Sequence, residues 1–107
     1  MIEEEWRSYK YGYEVSSLGR YRNQKGRLLK LHQSPNLRWK ATVRNEQGRQ
    51  EFLYIHVMVC EAFYGPKPDG MEVAHRDCDP SNNHLDNLRW ATHQDNMEDC
   101  KRNGCRQ

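Results

Sequence analysis

Hydrophobic positions alternate with polar ones along the first half of the chain. Between Arg38 and Arg44, the polar residues Lys40, Thr42 and Arg44 interleave with Ala41 and Val43. That period of two gives a strand one buried face and one basic, solvated face. Further short extended runs fall at Tyr13 to Ser16, Arg20 to Arg22, Arg27 to Leu31 and Gln50 to Ile55. Turn residues separate them: Leu18-Gly19, Gln24-Lys25-Gly26, Ser34-Pro35-Asn36 and Asn45-Glu46-Gln47-Gly48. The pattern predicts an antiparallel β meander. The period then lengthens. Ile55, Val59, Ala62 and Phe63 recur at helical spacing until Gly65-Pro66 stops the run. His56, at the start of this helix, reads better as a structural or phosphate-contacting residue than as a catalytic one. Pro66 to Gly70 reads as a linker.

A third pattern follows. A short apolar strand runs from Glu72 to His75, a polar loop from Arg76 to Asn87, and a second strand over Leu88-Arg89-Trp90. Closing a loop of about a dozen residues costs roughly 2 kcal/mol. Asp77, Asp79, Asn82, Asn83 and Asn87 are residues that fold back onto a turning backbone. At about 1 kcal/mol per net hydrogen bond, a few of them offset the closure, so most read as structural. A helix should follow, with Thr92 as N-cap and Asp95 at the third helical position. Lys101 and Arg102 fall in its last turn and Gly104 just beyond. Met97 and Cys100 should face the core, and Asn96 should sit on the first turn beside the strand pair.

Composition narrows the class. The chain has 107 residues, enough for one domain or two small lobes sharing a core. Mean hydropathy is low, and no apolar run approaches the ~20 residues of a membrane helix. The start, Met-Ile-Glu-Glu-Glu, is acidic, unlike a secretion signal. A cytoplasmic protein is expected. Cys60, Cys78, Cys100 and Cys105 form no C-x-x-C pair, so a structural zinc is not expected, and in a cytosolic compartment neither is a disulfide. Cys60 and Cys100 read as small core residues, with a Cys100, Cys105 and His site as the weaker alternative.

The net charge of +2 hides an asymmetry. From Arg20 to Arg49 there are nine cations (Arg20, Arg22, Lys25, Arg27, Lys30, Arg38, Lys40, Arg44 and Arg49) against one acid, Glu46, leaving +8. A solvated face is the bland explanation. The density, and the interleaved Tyr21 and Trp39, favour a phosphate-binding surface. Arg76 and Arg89 are further candidates for phosphate contact. A strand pair of this kind can lie along a DNA groove.

His75, Asn87 and Asn96, with Asn82-Asn83 and Asn87-Leu88 between them, resemble the HNH nucleases, the ββα-metal or His-Me finger group. The likeness is closest to small HNH homing endonucleases of bacteriophages. It is strong over residues 72–103. Trp6 and Tyr13-Glu-Val-Ser-Ser-Leu-Gly-Arg20 also resemble the module that often precedes the motif in phage enzymes. His56 to Phe63 resembles their linking helix, although the family's usual basic residue after the histidine is Val57 here. A lone histidine on a strand is usually a surface residue, and a lone Asn in a first helical turn is usually a cap. Their joint order, between two matching flanks, makes the signal specific.

The resemblance implies an α+β chain: an N-terminal antiparallel β meander and linking helix, followed by a ββα-metal (HNH) motif. Residues 1–55 would be the DNA-binding module, 56–70 the linking helix and linker, and 71–107 the nuclease motif. It implies His75 as general base, Asn96 as ligand of Mg²⁺ or Mn²⁺, and Asn87 as a loop-fixing residue that helps orient His75. A histidine near its ordinary pKa of ~6.5 suits that task, and a hard cation suits oxygen donors. Products would be a 5′ phosphate and a 3′ hydroxyl. One departure stands out: Ala74 occupies the position where the phage enzymes often carry Asp, a second metal ligand. Asp77, the nearest other carboxylate, reads as a turn former. The expected partner is double-stranded DNA, nicked on one strand by a monomer or cut on both by a homodimer. The expected setting is a bacterial host's cytoplasm, with the protein phage-encoded. Competing readings are a catalytically weakened or inactive DNA-binding protein of the same fold, and a zinc-stabilised interaction domain.

Overall fold

The computed structural model describes residues 4–35, 38–77 and 79–95. Among them are two three-stranded antiparallel sheets, a ten-residue helix, a two-stranded hairpin and, at His93 to Asp95, the start of a further helix. The first sheet joins β1 (Trp6–Ser8), β2 (Glu14–Ser16) and β3 (Tyr21–Arg22) in chain order. The second joins β4 (His32–Gln33), β5 (Trp39–Arg44) and β6 (Gln50–Tyr54). Helix α1 (Ile55–Tyr64) follows β6 directly, and β7 (Met71–His75) then pairs with β8 (Leu88–Thr92). The α+β class read from the sequence holds, and the structure divides the meander into two sheets. The expected strand over Arg27 to Leu31 makes only an isolated bridge, Arg22 to Leu28. β1 and β4 are strands that the alternation did not indicate.

The core lies where the sheets meet α1. Val15, Tyr21, Ala41, Val43, Ile55, Met58, Val59, Cys60 and Leu88 are all buried there. Ala41 and Val43 point inward as their alternation requires. On α1, Ile55, His56, Met58, Val59 and Cys60 are buried, the expected Ala62 and Phe63 are only partly buried, and Gly65, at φ 98°, ends the helix. Tyr21 departs from its expected place on a phosphate-binding face. It is 2% exposed and belongs to the core cluster.

Two tyrosine hydroxyls join the sheets. β4 pairs with β5 only at Trp39 and Lys40, leaving the backbone from Thr42 to Arg44 without a strand on that side. Tyr21 Oη accepts from the Thr42 N–H and donates to the Thr42 carbonyl, both at 3.1 Å. Tyr13 Oη accepts from the Arg44 N–H at 3.0 Å. Backbone groups that would otherwise lack partners are thereby satisfied by side chains from the other sheet. Tyr9 Oη donates to Glu61 at 2.6 Å and Tyr11 Oη to Glu51 at 2.9 Å, which adds contacts from the N-terminal part to α1 and β6.

Candidate active site

β7 delivers His75 to the mouth of the polar loop. In the register His75 opposite Leu88, the strand's last residue is covered by β8 and by α1, and His75 is 1% exposed. Its ring has one hydrogen-bond partner among the described residues: Nε2 lies 2.9 Å from Asn83 Oδ1. An amide oxygen only accepts, so with Oδ1 facing the ring Nε2 carries the proton, leaving the lone pair on Nδ1.

The loop is built by the acids and amides that the sequence marked as structural. Asn87 Nδ2 donates to Asp77 Oδ1 at 2.9 Å and to the Asn82 carbonyl at 2.8 Å, while its Oδ1 accepts from the Asp77 N–H at 3.1 Å. Asp77 also accepts from Asn82 Nδ2 and from the Asp79 N–H. Asn87 thus fixes the path of the loop, and Asn83 makes the direct contact with the imidazole. Sequence reasoning placed Asn83 among the structural residues of the loop. The available signal was the doubled Asn82-Asn83, of which one side chain holds the loop and the other the histidine.

Three other parts of the chain pin the loop from outside. The Leu85 N–H donates to the Ser17 carbonyl at 2.7 Å. Trp39 Nε1 donates to Ser81 Oγ at 3.2 Å. Tyr64 Oη, at the end of α1, donates to the carbonyls of Leu85 and Leu88. Gly19, at φ +83°, packs so closely that an added Cβ would stand 2.8 Å from the Asn83 carbonyl oxygen and 3.0 Å from Asn83 Cβ.

A second imidazole packs against the first. His56 is buried, its ring centroid 5.3 Å from that of His75, and its Nδ1 has no hydrogen-bond partner among the described residues. Burial, then the neighbouring His75 and Arg38, push the His56 pKa down to about 3. Burial also holds His75 below the ordinary histidine value, aided by Arg38 and opposed by the Asn83 bond and by Asp77 and Asp79. His75 therefore reaches neutral pH already deprotonated, rather than poised near 6.5. Both folded-state values lie below the unfolded one, so the unfolded chain takes up protons first as pH falls. Stability is full above about pH 6.5 and declines below it, for His56 down towards pH 3. The slope is roughly 1.4 kcal/mol per pH unit for each such group. Urea unfolding at pH 7 and pH 5 checks this: the midpoint should fall at pH 5, and an unchanged midpoint would contradict the burial of both rings.

The cations separate into two groups. Arg20 is bonded to Glu4 and Arg22 to Glu14, and the Arg22 guanidinium also sits 4.0 Å from the Trp6 ring centroid. Arg44 donates to the Gly48 carbonyl, and Lys40 lies over Phe52. No carboxylate pairs with Lys25, Arg27, Lys30 or Arg49 among the described residues. Arg38 is close enough to act on both buried imidazoles, which ties the basic segment to His75. Arg89 stands opposite Ala74 in the hairpin, and Arg76 donates its N–H to the Asn87 carbonyl at 2.7 Å. Thr92 Oγ1 accepts from the Asp95 N–H at 3.1 Å, as a helix N-cap should. Asn96, Met97, Cys78, Cys100, Lys101, Arg102, Gly104 and Cys105 lie outside the described residues.

A strand, a loop tied by asparagines and a returning strand, with a histidine buried at the turn, is the arrangement against which the chain can be compared. A family model described as HNH endonuclease matches residues 53–98. Over these residues the chain is similar to the HNH endonuclease family. The DNA endonuclease I-HmuI of Bacillus phage SP01 is 32% identical over 98 residues, which cover 88% of this chain and 56% of that protein. A solved structure described as DNA binding and cleavage by the HNH homing endonuclease I-HmuI superposes with a TM-score of 0.83 at 26% identity. It covers 96% of this chain and 61% of that one. The chain thus spans somewhat over half the length of the relatives it matches, and the likeness includes the N-terminal sheets as well as residues 53–98.

HNH endonucleases generally depend on a divalent metal. The described residues do not by themselves form a cage for one. Ala74 is fully buried and offers a methyl group. Asp77 is engaged by loop amides. Among the described residues no group of three or more His, Cys, Asp or Glu side chains is placed to hold an ion.

Proposed function

We propose that this chain is a divalent-metal-dependent DNA endonuclease that hydrolyses phosphodiesters in double-stranded DNA and nicks one strand as a monomer. The observation that carries the reading is His75 itself. It is buried and deprotonated, held at Nε2 by Asn83, and leaves Nδ1 to accept a proton. Arg38 and the basic segment beside it supply a surface for the phosphate backbone.

In this reading His75 Nδ1 takes the proton of the attacking water. Asn83 keeps the ring in the tautomer that frees Nδ1, and Asn87 keeps Asn83 in place by holding the loop. Burial excludes bulk water from the imidazole, and Arg38 favours its neutral form. Mg²⁺ or Mn²⁺, with Asn96 and DNA phosphate oxygens as its oxygen donors, would stabilise charge on the phosphorane and the departing 3′ oxygen. The products are a 5′ phosphate and a 3′ hydroxyl. DNA contacts come from Lys25, Arg27, Lys30, Lys40, Arg44 and Arg49, with Arg38, Arg76 and Arg89 nearer the cut. The chain would act on DNA in the cytoplasm of a phage-infected bacterium.

A supercoiled-plasmid assay tests the activity. With Mg²⁺ or Mn²⁺ the plasmid should relax to open circles, and chelator should stop it. Linear product in the first turnover would assign cutting of both strands by a homodimer. Ala74 favours one second reading, a DNA-binding protein of this fold with weakened catalysis: retention of the plasmid without relaxation in either metal would establish it. Binding should also be strongly salt-dependent. With about six phosphate contacts, affinity should drop on the order of 10³ between 50 and 200 mM salt. A flat response in a filter-binding titration would remove the basic segment from the interface.

A further inference from the structure

The rings exposed beside the site are not the ones the sequence suggested. Tyr21 is in the core, and Trp39 lies against the polar loop. The outward face of the β5–β6 ribbon instead presents Lys40, Thr42, Arg44, Gln50, Phe52 and Tyr54, two cations and no carboxylate. Phe52 is 59% exposed and Tyr54 39%. A single exposed phenylalanine is ordinary; its position here is not. The Lys40 ammonium lies 4.8 Å from the Phe52 ring centroid. Tyr54 stacks on His56 at 5.3 Å and 24°, and the His56 ring is in turn 5.3 Å from His75. Two ring contacts therefore lead from the reacting imidazole to an open, cationic, aromatic face. In the endonuclease reading, a duplex with its scissile phosphate at His75 would carry its neighbouring nucleotides over Tyr54 and Phe52. A phenyl ring forms no hydrogen bond with a phosphate or a base edge. It offers a flat apolar surface that stacks on bases or enters between them.

We propose that Phe52, backed by Tyr54, is a wedge that presses into double-stranded DNA beside the cut and unstacks a base step there. The inference rests on the endonuclease reading and adds a specificity-determining contact to it. Lys40 and Arg44 neutralise the phosphates flanking the opened step. Pyrimidine–purine steps are the easiest to unstack, so nicks should cluster beside them.

Permanganate, which oxidises thymines that have lost their stacking, reads the wedge directly. The nick is first mapped on a supercoiled plasmid with the native chain. The His75→Gln variant of this chain, expected to retain the plasmid uncut, is then bound and treated with permanganate. Thymines within a few base pairs of the mapped nick should become reactive. Adding Phe52→Ala should abolish that reactivity at matched plasmid occupancy and weaken binding roughly five- to hundredfold. The ring is largely solvated, so the melting temperature should stay close to that of the parent. An unchanged permanganate pattern in Phe52→Ala at matched occupancy overturns the proposal, as does the absence of any protein-dependent reactivity. A native chain that nicks the plasmid without such reactivity sinks the wedge alone, whereas one that neither retains nor nicks it sinks the endonuclease reading as well.

Discussion

Replacing His75 with alanine is expected to slow plasmid nicking roughly 10²- to 10⁴-fold, the usual contribution of a positioned general base, while plasmid retention stays within a few-fold of wild type. The two effects separate because His75 is buried at the end of β7, whereas the cations proposed to hold DNA lie mostly on the N-terminal half. Alanine also leaves the Asn83 amide without its partner, at a cost of about 1–3 kcal/mol of stability. His75→Gln retains more of the side-chain volume and an amide for Asn83 to meet, and so distinguishes lost chemistry from lost folding. Both variants should be inactive, and the glutamine variant should melt closer to wild type. Nicking by either at the wild-type rate would remove His75 from the reaction.

Gly19→Ala should be nearly as damaging, although Gly19 belongs to the turn between β2 and β3. Its φ of +83° alone costs an L residue roughly 1–2 kcal/mol. The new methyl would also overlap the Asn83 backbone, with no flexible side-chain tip to yield. Asn83 must move, and the His75 ring with it. Misplacing a reacting group by about 1 Å can cost on the order of 100-fold in rate. Gly26→Ala is the control, because Gly26 has φ +80° with nothing within 4 Å of the added carbon. Both should lose stability in urea, but only Gly19→Ala should lose nicking beyond what its unfolded fraction explains. Equal loss in the two would mean that backbone strain, not the contact with Asn83, is responsible.

Much of this architecture could be read from the sequence because it follows from local rules. The β5 alternation, the Gly65 stop of α1 and the Thr92 cap each need only near neighbours, and each appears as expected, whereas only Ile55 and Val59 of the expected α1 stripe are buried. The order of His75, Asn87 and Asn96 indicated the family because it is a property of spacing. What was missed depends on distant partners. β1 is three residues, Trp6-Arg7-Ser8, without alternation, and exists because β2 pairs with it. β4 is two residues. Tyr21 reads as part of a basic surface until its hydroxyl is seen on Thr42. Asn83 could not be told from Asn82 because the difference between them is the direction each takes in a folded loop. The lowered His75 pKa depends on burial by elements far away in sequence, so a typical imidazole value was the natural expectation.

The attachments of the polar loop bear on how such a module can be transplanted. Ser17, Gly19 and Trp39, all upstream of the matched residues 53–98, hold or crowd the segment that carries Asn83. A chimaera that grafts only the matched stretch onto a new DNA-binding protein would lose those supports, and its histidine would have a partner free to wander. An engineer wishing to move residues 53–98 should take both small sheets with them and treat those sheets as part of the same working piece.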